Sequence, residues 1–510
     1  MNREEMLSRI GERGSLEWDV LVIGGGATGL GAALDASARG YGTVLVEAAD
    51  FAKGTSSRST KIIHGGVRYL RQGNLRLVRD SLRERGLLLR NCPELVTDRG
   101  FVVPHYHRSD RLVYGAGLRV YDLLAGELGL QRSRHLSKEG ILREFPTLAS
   151  ANLRGGTLYF DGQFDDARLA VALAQAAVDA GGVLVNHMAV EGLIKERGRV
   201  KGVSVRDGES GGAFELRSRV VINATGVFVD AIRHMDDGTS GALVTPSQGI
   251  HIVLDRSFLP SSHALMIPKT DDGRLLFAIP WHGRVLTGTT DTPRQAPELE
   301  PRPLAAEIDY LLSHLARYLT RAPTRGDVRS AFAGLRPLVK PSGPVGATSR
   351  ISRDHTIAIS PGGLVTITGG KWTTFRHMAE DVIDRAAAFA GLASSPCQTK
   401  TLRIPGSILP PVPGANMDAD ADADAGALVH PGLEIREGHV RGAVVHEMAR
   451  TVEDVLARRT RMLFLDAKAS IEAAPAVARL LARELGRDGA WIANQIGAFE
   501  ETAQAYLLRS

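Results

Sequence analysis

The chemistry that this sequence most directly indicates is the binding of a dinucleotide. Three glycines, Gly24, Gly26 and Gly29, stand in G-x-G-x-x-G spacing after an apolar run, and the next apolar run ends at the acid Glu47. The glycines permit a tight turn and close approach of the backbone to a pyrophosphate, and the carboxylate accepts hydrogen bonds from a ribose diol. The pattern favours a nucleotide site over a plain glycine-rich turn, but it does not distinguish NAD from FAD.

A second group of candidate residues occupies the fifteen positions from Thr55 to Tyr69, which contain hydroxyls, two glycines, a histidine and basic residues. The hydroxyls and backbone N–H groups of such a passage can bind a pyrophosphate and a ring system, and His64, Arg68 and Tyr69 can face a substrate. A polar surface loop is the alternative. The density of hydrogen-bonding groups so soon after a dinucleotide motif favours the functional interpretation.

The third group is the sequence Gly-Gly-Lys-Trp-Thr-Thr from Gly369 to Thr374, between an apolar run and an amphipathic helical pattern. Two glycines let the backbone approach a flat ligand, and a helix N-terminus places positive dipole where a flavin gains negative charge on reduction. Lys371 adds a mobile cation. A plain strand-to-helix turn needs one glycine and does not explain the lysine and threonines.

Two arginines, Arg336 and Arg353, lie in short turns before that helix. The planar guanidinium matches phosphate and carboxylate oxygens and keeps its charge at any working pH. Single arginines are usually surface residues, so each has little weight alone. The polar strand end at residues 287–291 is expected to face the same cleft, whereas His251 and His282 are expected to be structural.

Bringing these groups together requires elements from distant parts of the chain. Residues 19–47 predict a strand, a glycine turn, a helix and a second strand. Helices are also predicted over residues 75–90, 165–180 and 304–318. A three-stranded antiparallel meander is predicted over residues 181–226, with its last strand meeting the turn Asn223-Ala224-Thr225-Gly226. The predicted class is α/β with a Rossmann-like domain.

The predicted oxidoreductase region spans residues 16–395. Its cofactor-binding domain is assembled from segments of about 16–100, 150–245 and 350–395, and an antiparallel β substrate domain is inserted mainly over 246–345. Residues 404–430 are rich in proline, glycine and alternating aspartate and alanine, which predicts a linker. Residues 431–510 are predicted to be a C-terminal helical domain with a stripe formed by Val444, Val445, Met448, Val452, Val455 and Leu456.

Composition excludes some classes of function. The 510 residues have a net charge of +5, without the long basic run or basic-aromatic interleaving of a nucleic-acid-binding protein. Cys92 and Cys397 lie far apart and form no metal or redox motif, which favours a reducing compartment. Because the first fourteen residues are charged and lack a signal-peptide core, we expect the protein to face the cytoplasm.

The segment of residues 111–134 is the most apolar long stretch, but Arg119, Asp122 and Glu127 interrupt it. It falls short of the roughly 18 uninterrupted apolar residues of a membrane span. An ordinary helix facing the protein core is the favoured interpretation. An amphipathic helix lying on a membrane is the alternative.

The loop sequences, taken together, resemble a known family. The motifs GGGATG, TSSRSTKIIHGGVRYL, FDDARL, INATG, GTTD, GLRPL and GGKWTTFR occur in this order. They are similar to those of the FAD-dependent glycerol-3-phosphate dehydrogenases over about residues 16–390, and the helical tail resembles that family's C-terminal domain. The resemblance implies a fold like that of glutathione reductase and the amino-acid oxidases, with FAD as cofactor and no metal.

The resemblance also implies an activity. The reaction is oxidation of sn-glycerol 3-phosphate at C2 to dihydroxyacetone phosphate, with hydride passing to flavin N5 and electrons passing to a membrane quinone. It implies a peripheral protein on the inner face of the cytoplasmic membrane, bound to no nucleic acid. The sequence leaves open whether the chain forms a homodimer.

Residue roles follow from the resemblance. Arg336, Arg353 and Lys371 are assigned to substrate oxygens, with Arg68 and Tyr69 nearby. His64 is the candidate base beside the catalytic cations Arg336 and Lys371, because imidazole titrates near neutral pH. The residues assigned to FAD are Gly24, Gly25, Gly26, Thr28, Gly29, Glu47, Thr55, Ser56, Ser57, Thr60, Lys61, His64, Gly65, Gly66, Ala224, Thr225, Gly226, Gly370, Lys371 and Thr373.

Three other functions compete with this interpretation. A glycerol-3-phosphate oxidase would have a similar sequence and deliver electrons to oxygen. An amine or amino-acid oxidase would share the fold but would need a carboxylate anchor and an apolar amine pocket, against which the basic cluster argues. A flavin-binding protein without turnover would have the same cofactor motifs, and only a redox test separates it from an enzyme.

Overall fold

The computed structural model describes residues 1–13, 16–67, 74–340, 354–406 and 426–508. Three candidates from the sequence, Arg68, Tyr69 and Arg353, lie outside the described residues, as does most of the expected linker. The described residues form two large sheets and a C-terminal helical region (residues 426–508). This is the α/β class that the sequence predicts.

The first sheet contains the dinucleotide motif. Its strands are β1 (Trp18–Ile23), β2 (Thr43–Val46), β7 (Val183–Val185), β8 (Met188–Glu196), β9 (Arg199–Asp207), β10 (Ala213–Asn223), β17 (His355–Ile359) and β18 (Val365–Gly369). The order is β17-β18-β10-β1-β2-β7, with all neighbours parallel except β17 and β18. The carboxyl ends of the central parallel strands therefore meet at one edge, where ligands bind in such sheets.

The helices of the described residues are α1 (Arg3–Arg13), α2 (Ala27–Ala38), α3 (Leu75–Asn91), α4 (Asp110–Ala125), α5 (Lys138–Glu144), α6 (Asp166–Asp179), α7 (Val229–Asp236), α8 (Ala305–Ala316), α9 (Phe375–Ala390), α10 (Glu437–Glu447), α11 (Met462–Leu465), α12 (Ala467–Leu485) and α13 (Gly489–Ala503). Helix α2 packs against α6 and α9. Gly31 allows the second contact, because a Cβ there would lie 2.8 Å from a ring carbon of Phe375. Helix α6 begins where the Asp165 carboxylate accepts the N–H of Arg168 at 3.1 Å.

The predicted meander is present as β8, β9 and β10, which pair antiparallel in sequence order. The first turn falls at Arg197 and Gly198, both with positive φ, as the sequence predicts. The carboxyl end of β10 continues past the hairpin and pairs parallel with β1. The strand therefore carries the Asn223–Gly226 turn to the same edge as the dinucleotide motif.

The second sheet lies beside the first and has ten strands. They are β3 (Ile62–Ile63), β4 (Val96–His105), β5 (Arg134–Leu136), β6 (Gly155–Phe164), β11 (Val244–Asp255), β12 (Ala264–Ile267), β13 (Leu276–Trp281), β14 (Arg284–Gly288), β15 (Thr292–Pro293) and β16 (Val328–Val339). The order is β15-β11-β14-β13-β12-β4-β6-β3, with β16 on β11 and β5 on β6. This sheet takes β3, the start of β4 and β6 from segments that we expected in the cofactor-binding domain, because local sequence does not reveal a strand's partner.

The C-terminal helical region contains α10 to α13 and a small hairpin of β19 (Leu428–His430) and β20 (Leu433–Arg436). The predicted apolar stripe is not one helix. Helix α10 ends at Glu447, Met448 is left-handed with φ of 55°, and the chain then forms a π-helical turn over Asp454–Arg459. Thr451 caps the new turn, because its hydroxyl accepts the N–H of Asp454 and the Asp454 carboxylate accepts the N–H of Thr451 in return.

Helix α4 covers most of the 111–134 segment, for which we favoured an ordinary helix with its apolar residues facing the core, but several of these residues are exposed. It buries Leu118 and Tyr121, but Leu112 and Leu123 are 76% and 80% exposed. Local periodicity indicates an apolar face but does not reveal whether protein covers it. Among the helices of the described ranges, none is long and apolar enough to cross a bilayer.

Candidate active site

A cavity of about 670 Å³ opens between the two sheets. Its first wall is the edge of the first sheet, where Gly24, Glu47, Ala224 and Gly370 follow the ends of β1, β2, β10 and β18. Its second wall comes from β11 and β16 of the second sheet and from residues 289–291, which follow β14. A cavity at the carboxyl edge of a parallel sheet is the expected place for a nucleotide cofactor.

The glycine turn after β1 has no room for side chains. Gly24 has φ of 107°, and a Cβ there would lie 2.9 Å from the carbonyl oxygen of Ala224. A Cβ on Gly29 would lie 1.8 Å from the carbonyl oxygen of Gly24. Gly24, Gly26 and Thr28 line the cavity, whereas Gly25 and Gly29 shape the turn behind it. The turn presents the N-terminus of α2 to the cavity, where a pyrophosphate is stabilised.

Glu47 ends β2 at the same edge. Its carboxylate accepts the N–H groups of Gly25 at 2.6 Å and Ala49 at 2.9 Å, and the residue lines the cavity. Burial raises the pKa of this carboxyl, while the two backbone hydrogen bonds oppose the rise. The geometry fixes the carboxylate in the position from which it can accept ribose hydroxyls.

Residues near Ser56, His64 and Trp372 come together beside the glycine turn that follows β1. Trp372 donates its indole N–H to the carbonyl oxygen of Ser56 at 2.9 Å, and the Ser56 hydroxyl accepts the N–H of Ala27 at 2.9 Å. The N–H of His64 donates to the Thr373 hydroxyl at 3.2 Å. Predicted cofactor residues from these loops that line the cavity are Thr55, Ser56, Thr60, His64, Gly66, Thr225, Gly226, Gly370, Lys371 and Thr373.

Arg336 faces the cavity from β16 of the second sheet. Its guanidinium donates to the Thr289 hydroxyl at 3.1 Å and to the carbonyl oxygen of Thr290 at 3.0 Å. The Asp291 carboxylate lies 3.6 Å from Nη1. Gly249, on the adjacent strand β11, leaves space for this side chain, since a Cβ there would lie 2.2 Å from Nη2. A cation therefore stands opposite the glycine turns.

Comparisons with known proteins agree with this geometry. A family model described as FAD dependent oxidoreductase matches residues 19–376, and a model described as C-terminal domain of alpha-glycerophosphate oxidase matches residues 413–491. The mitochondrial glycerol-3-phosphate dehydrogenase of Homo sapiens is 38% identical over 538 residues, covering 96% of this chain and 73% of that protein. The corresponding probable enzyme of Caenorhabditis elegans is 38% identical over 535 residues, with the same coverage.

The chain belongs to the FAD-dependent glycerol-3-phosphate dehydrogenase family. The solved structure of a glycerol-3-phosphate dehydrogenase from Bacillus halodurans, complexed with FAD, matches this dehydrogenase with a TM-score of 0.80 and 30% identity, covering 99% of this chain and 98% of that one. An L-alpha-glycerophosphate oxidase from Mycoplasma pneumoniae shares the fold, with a TM-score of 0.57 and 17% identity over 75% of this chain and 96% of that one. The sequence resemblance, the fold class, the enzyme class and the FAD cofactor are thereby confirmed.

The lining of this dehydrogenase fits FAD. The absence of Cβ atoms at Gly24 and Gly26 opens the first wall to a pyrophosphate, and a Cβ at Gly26 would lie 3.1 Å from the Ser56 hydroxyl. The Glu47 carboxylate lies at the same wall, where it could accept the hydroxyls of a ribose. The paired glycines Gly369 and Gly370, with φ of 84° and 73°, leave a flat surface before the N-terminus of α9.

Besides Gly25 and Gly29, three more predicted cofactor residues of the dehydrogenase do not line the cavity. The Lys61 ammonium is buried and donates to the Asp166 carboxylate at 2.5 Å, and burial lowers its pKa to about 7 against the opposing charge of Asp166. Ser57 is buried behind the loop. Gly65 donates its N–H to the hydroxyl of Tyr121 at 2.7 Å. The sequence of a dense polar passage does not reveal which of its side chains face the protein interior and which face the cavity.

His251 is a cavity residue that sequence reasoning assigned to structure. It stacks on Phe332 with ring centroids 5.1 Å apart, and its Nε2 lies 3.0 Å from the Thr60 hydroxyl. Nδ1 is buried with no hydrogen-bond partner among the described residues. Burial lowers the pKa of this imidazole well below 6.5, and the charges of Lys61 and Arg336 add to the effect.

Strand alternation was the signal that could have found His251. Residues two apart on a strand share a face, so His251 follows Gly249 toward the cavity. Arg274 also lines the cavity and donates to the carbonyl oxygen of Asp291 at 3.1 Å, but its loop carries no motif. His282, by contrast, is absent from the cavity lining and pairs with Asp165 at 3.1 Å.

Proposed function

We propose that this enzyme oxidises sn-glycerol 3-phosphate at C2 to dihydroxyacetone phosphate. The observation that carries the proposal is the position of Arg336 and His251 together on the wall opposite the FAD-binding glycine turns. A phosphate anchor and a proton acceptor next to a flavin site are the groups that this oxidation needs. The names of the relatives from Homo sapiens and Bacillus halodurans support the same substrate.

The phosphate is bound by Arg336 and Lys371, with Arg68, Tyr69 and Arg353 as the further substrate residues proposed from the sequence. Arg336 already has hydrogen bonds to Thr289 and Thr290, which fix the plane of its guanidinium. A fixed planar donor orients a phosphate more strongly than a mobile one. FAD supplies the hydride acceptor at its N5 and the route for electrons to a membrane quinone.

The base is proposed to be His251 in place of His64. Burial and the charges of Lys61 and Arg336 lower the pKa of the His251 imidazole, whereas the backbone N–H of His64 donates to Thr373 on the opposite wall. Because Nδ1 is buried, the C2 hydroxyl proton is accepted at Nε2, which lies 3.0 Å from the Thr60 hydroxyl at the cavity wall. A low pKa keeps this imidazole neutral at pH 7, as a base must be before it accepts a proton.

The substrate proposal is tested by mixing the purified enzyme anaerobically with sn-glycerol 3-phosphate and following the flavin absorbance. The expected result is rapid bleaching, absent with glycerol, which lacks the phosphate, and with lactate. Flavin-loaded enzyme that does not bleach with the phosphate ester would contradict the substrate assignment. That result would favour an amine or amino-acid oxidase, or a flavin-binding protein without turnover.

The electron acceptor is proposed to be quinone. An oxidase is the second candidate, because the model matching residues 413–491 is described from an alpha-glycerophosphate oxidase. The two are separated by the hydrogen peroxide formed per substrate oxidised in air. A yield near zero with a short-chain quinone present supports the dehydrogenase, and a yield near one identifies an oxidase.

Peripheral contact with the cytoplasmic face of a membrane is proposed through α4. Leu112, Val113, Val120 and Leu123 are 76%, 56%, 43% and 80% exposed and fall within one sector of the helix. Arg119 lies among them, and an apolar face with basic residues binds anionic lipid surfaces.

The contact is tested by sedimentation with anionic vesicles. The double variant Leu112→Gln/Leu123→Gln is expected to lower the bound fraction about tenfold or more, since each buried leucine contributes about 1.5–3 kcal/mol. Phe389→Gln, which changes another exposed apolar residue, is the control and should bind like the unaltered enzyme. Equal binding by the double variant would exclude α4 as the contact.

A further inference from the structure

The cofactor loop, residues 47–61 between β2 and β3, has little regular structure of its own. Its one helical element is the short 3-10 turn Thr55–Ser57. One side of the loop forms part of the cavity wall, while Asp50, Ser57 and Lys61 point away from the cavity. The members that line the cavity are Glu47, Ala48, Ala49, Ala52, Lys53, Gly54, Thr55, Ser56, Arg58, Ser59 and Thr60.

Asp50 is bound from behind by two consecutive arginines of the C-terminal helical region. Arg459 donates to both carboxylate oxygens, at 2.6 Å and 2.9 Å, and Arg458 donates through Nε at 2.5 Å. All three residues are at most 2% exposed. Both arginines come from the π-helical turn Asp454–Arg459, an uncommon element that is frequent at functional positions.

The other end of the loop is bound by a third arginine of the same region. Arg461 donates to the carbonyl oxygen of Ser57 at 2.9 Å and to the Asp166 carboxylate at 3.0 Å. Lys61 donates to the same carbonyl at 2.7 Å. Arg461, Lys61 and Asp166 have no solvent exposure, so both ends of the loop are held by buried charges.

Contacts also reach loop residues that line the cavity. Lys53 forms ion pairs with Glu453 of the C-terminal helical region and with Glu300. The Arg58 guanidinium lies 5.8 Å from the ring centre of Tyr506, near the end of the described chain. The C-terminal helical region therefore contacts the cavity wall itself and not only its back.

A metal ion is an alternative occupant of this cluster, because oxygen and nitrogen atoms of Asp50, His187 and Asp454 lie within 4.8 Å of one another. Arg458 already donates to both carboxylates, and His187 donates from Nε2 to the Asp454 carboxylate at 3.0 Å. The charges of the two carboxylates are therefore compensated by protein groups.

Buried ion pairs contribute little net stability compared with apolar packing, but their directional bonds can specify one arrangement. The two donors of Arg459 and the single donor of Arg458 fix the direction of the Asp50 carboxylate and of the backbone around it. We propose that Arg458, Arg459 and Arg461 are positioning residues that hold the cofactor loop in the conformation that binds FAD. The C-terminal helical region then stabilises the cofactor site through this loop, whichever substrate is oxidised.

The test compares Arg459→Lys with Arg450→Lys in the full-length holoenzyme. Arg450 is also buried in the C-terminal helical region and also binds a carboxylate with two donors, at 2.6 Å and 2.8 Å, but its partner is Glu209, outside the cofactor loop. FAD release is followed by the rise of free-flavin fluorescence after dilution, and thermal unfolding is measured on the same samples. Substrate is absent, so the result does not depend on the proposed reaction.

Arg459→Lys is expected to release FAD about tenfold faster or more, since one charge-assisted hydrogen bond is lost, while Arg450→Lys stays within about twofold. Equal acceleration by both variants, or a lower melting temperature without faster release, would overturn the proposal. If Arg459→Lys does not fold, the isosteric Glu453→Gln replaces it and should accelerate release several-fold. An unchanged rate in that variant would equally count against the positioning role.

Discussion

At the scale of single residues, Arg336 should decide substrate affinity. Arg336→Ala removes a guanidinium fixed by Thr289 and Thr290 at the cavity wall. We expect KM for sn-glycerol 3-phosphate to rise about 100-fold, because charge-assisted hydrogen bonds to a phosphate contribute about 3 kcal/mol. FAD content should stay unchanged. Arg329→Ala, on the same strand with its side chain 50% exposed, is the control; unchanged KM in Arg336→Ala would contradict the phosphate role.

The value of kcat in substituted enzymes should distinguish the roles of His251 and His64, the two histidines that line the cavity. We expect His251→Asn to lower kcat by about 10²–10⁴, the usual contribution of a general base. His64→Asn should lower it less. Comparable bleaching rates of the two variants in stopped flow would remove His251 from the base role, and a larger loss in His64→Asn would restore the assignment made from the sequence.

The pH profile gives an independent check on His251. Burial and the charges of Lys61 and Arg336 lower the pKa of this imidazole well below 6.5. A base works only when unprotonated, so activity is lost as pH falls through its pKa. The acidic limb of kcat/KM should therefore lie below pH 6.5 and should disappear in His251→Asn. A limb unchanged by that substitution would belong to another group.

At the scale of elements, the requirement for glycine in the turn after β1 can be tested by comparing Gly24 with Gly40, a glycine of similar backbone conformation. Gly24 and Gly40 both have positive φ, 107° and 87°, but a Cβ meets the Ala224 carbonyl at 2.9 Å only at Gly24 and meets nothing within 4 Å at Gly40. Gly40→Ala should cost about 1–2 kcal/mol from backbone strain alone, with FAD retained. Gly24→Ala should cost more and lose FAD, measured by urea unfolding and the ratio of flavin to protein absorbance.

Some elements could be predicted from the sequence because local signals agreed. The unit from β1 to β2 combines two apolar runs, glycines in fixed spacing and a terminal acid, so its strands, helix and turn follow from residues within thirty positions. Helix α6 was predicted within one residue at each end, because an acidic cap precedes an apolar period. The convergence of Glu47, Ala224 and Gly370 then follows from parallel strand pairing.

Other elements depend on contacts that the sequence does not contain. Strand β4 pairs with β12, more than 150 positions away, so its sheet could not be read from its own residues. The predicted apolar stripe does not form one helix, because Thr451 caps a new turn and Arg458 donates to Asp50. His251 and Arg274 were missed for the same reason, since their place in the cavity depends on the second sheet.

At the scale of the whole molecule, Glu300 lies where three parts of the chain meet. Its carboxylate pairs with Lys53 at 3.0 Å and Arg58 at 2.6 Å in the cofactor loop, and accepts the hydroxyl of Tyr506 at 3.0 Å. Glu300 itself lies just before α8, beside the second sheet. One carboxylate thus connects the cofactor loop, the second sheet and the end of the C-terminal helical region.

This junction should make stability sensitive to acid. Burial raises the pKa of Glu300, but the charges and hydrogen bonds of Arg58 and Lys53 outweigh it and bring the pKa from 4.5 to about 2. A lowered carboxyl pKa stabilises the fold above the unfolded value, and the contribution is lost as pH falls toward the folded value. Glu300 should therefore contribute about 3 kcal/mol at pH 7, and less between pH 4.5 and 2.

The measurement is urea unfolding of the unaltered protein and Glu300→Gln at pH 7 and at pH 3.5. The difference in unfolding free energy should be about 3 kcal/mol at pH 7 and about 2 kcal/mol at pH 3.5, because the unfolded carboxyl is by then mostly protonated. Glu298→Gln, an exposed neighbour paired with Arg294, should show a small difference at both pH values. A difference for Glu300→Gln that does not change with pH would mean that the ionised carboxylate is not what joins the three parts.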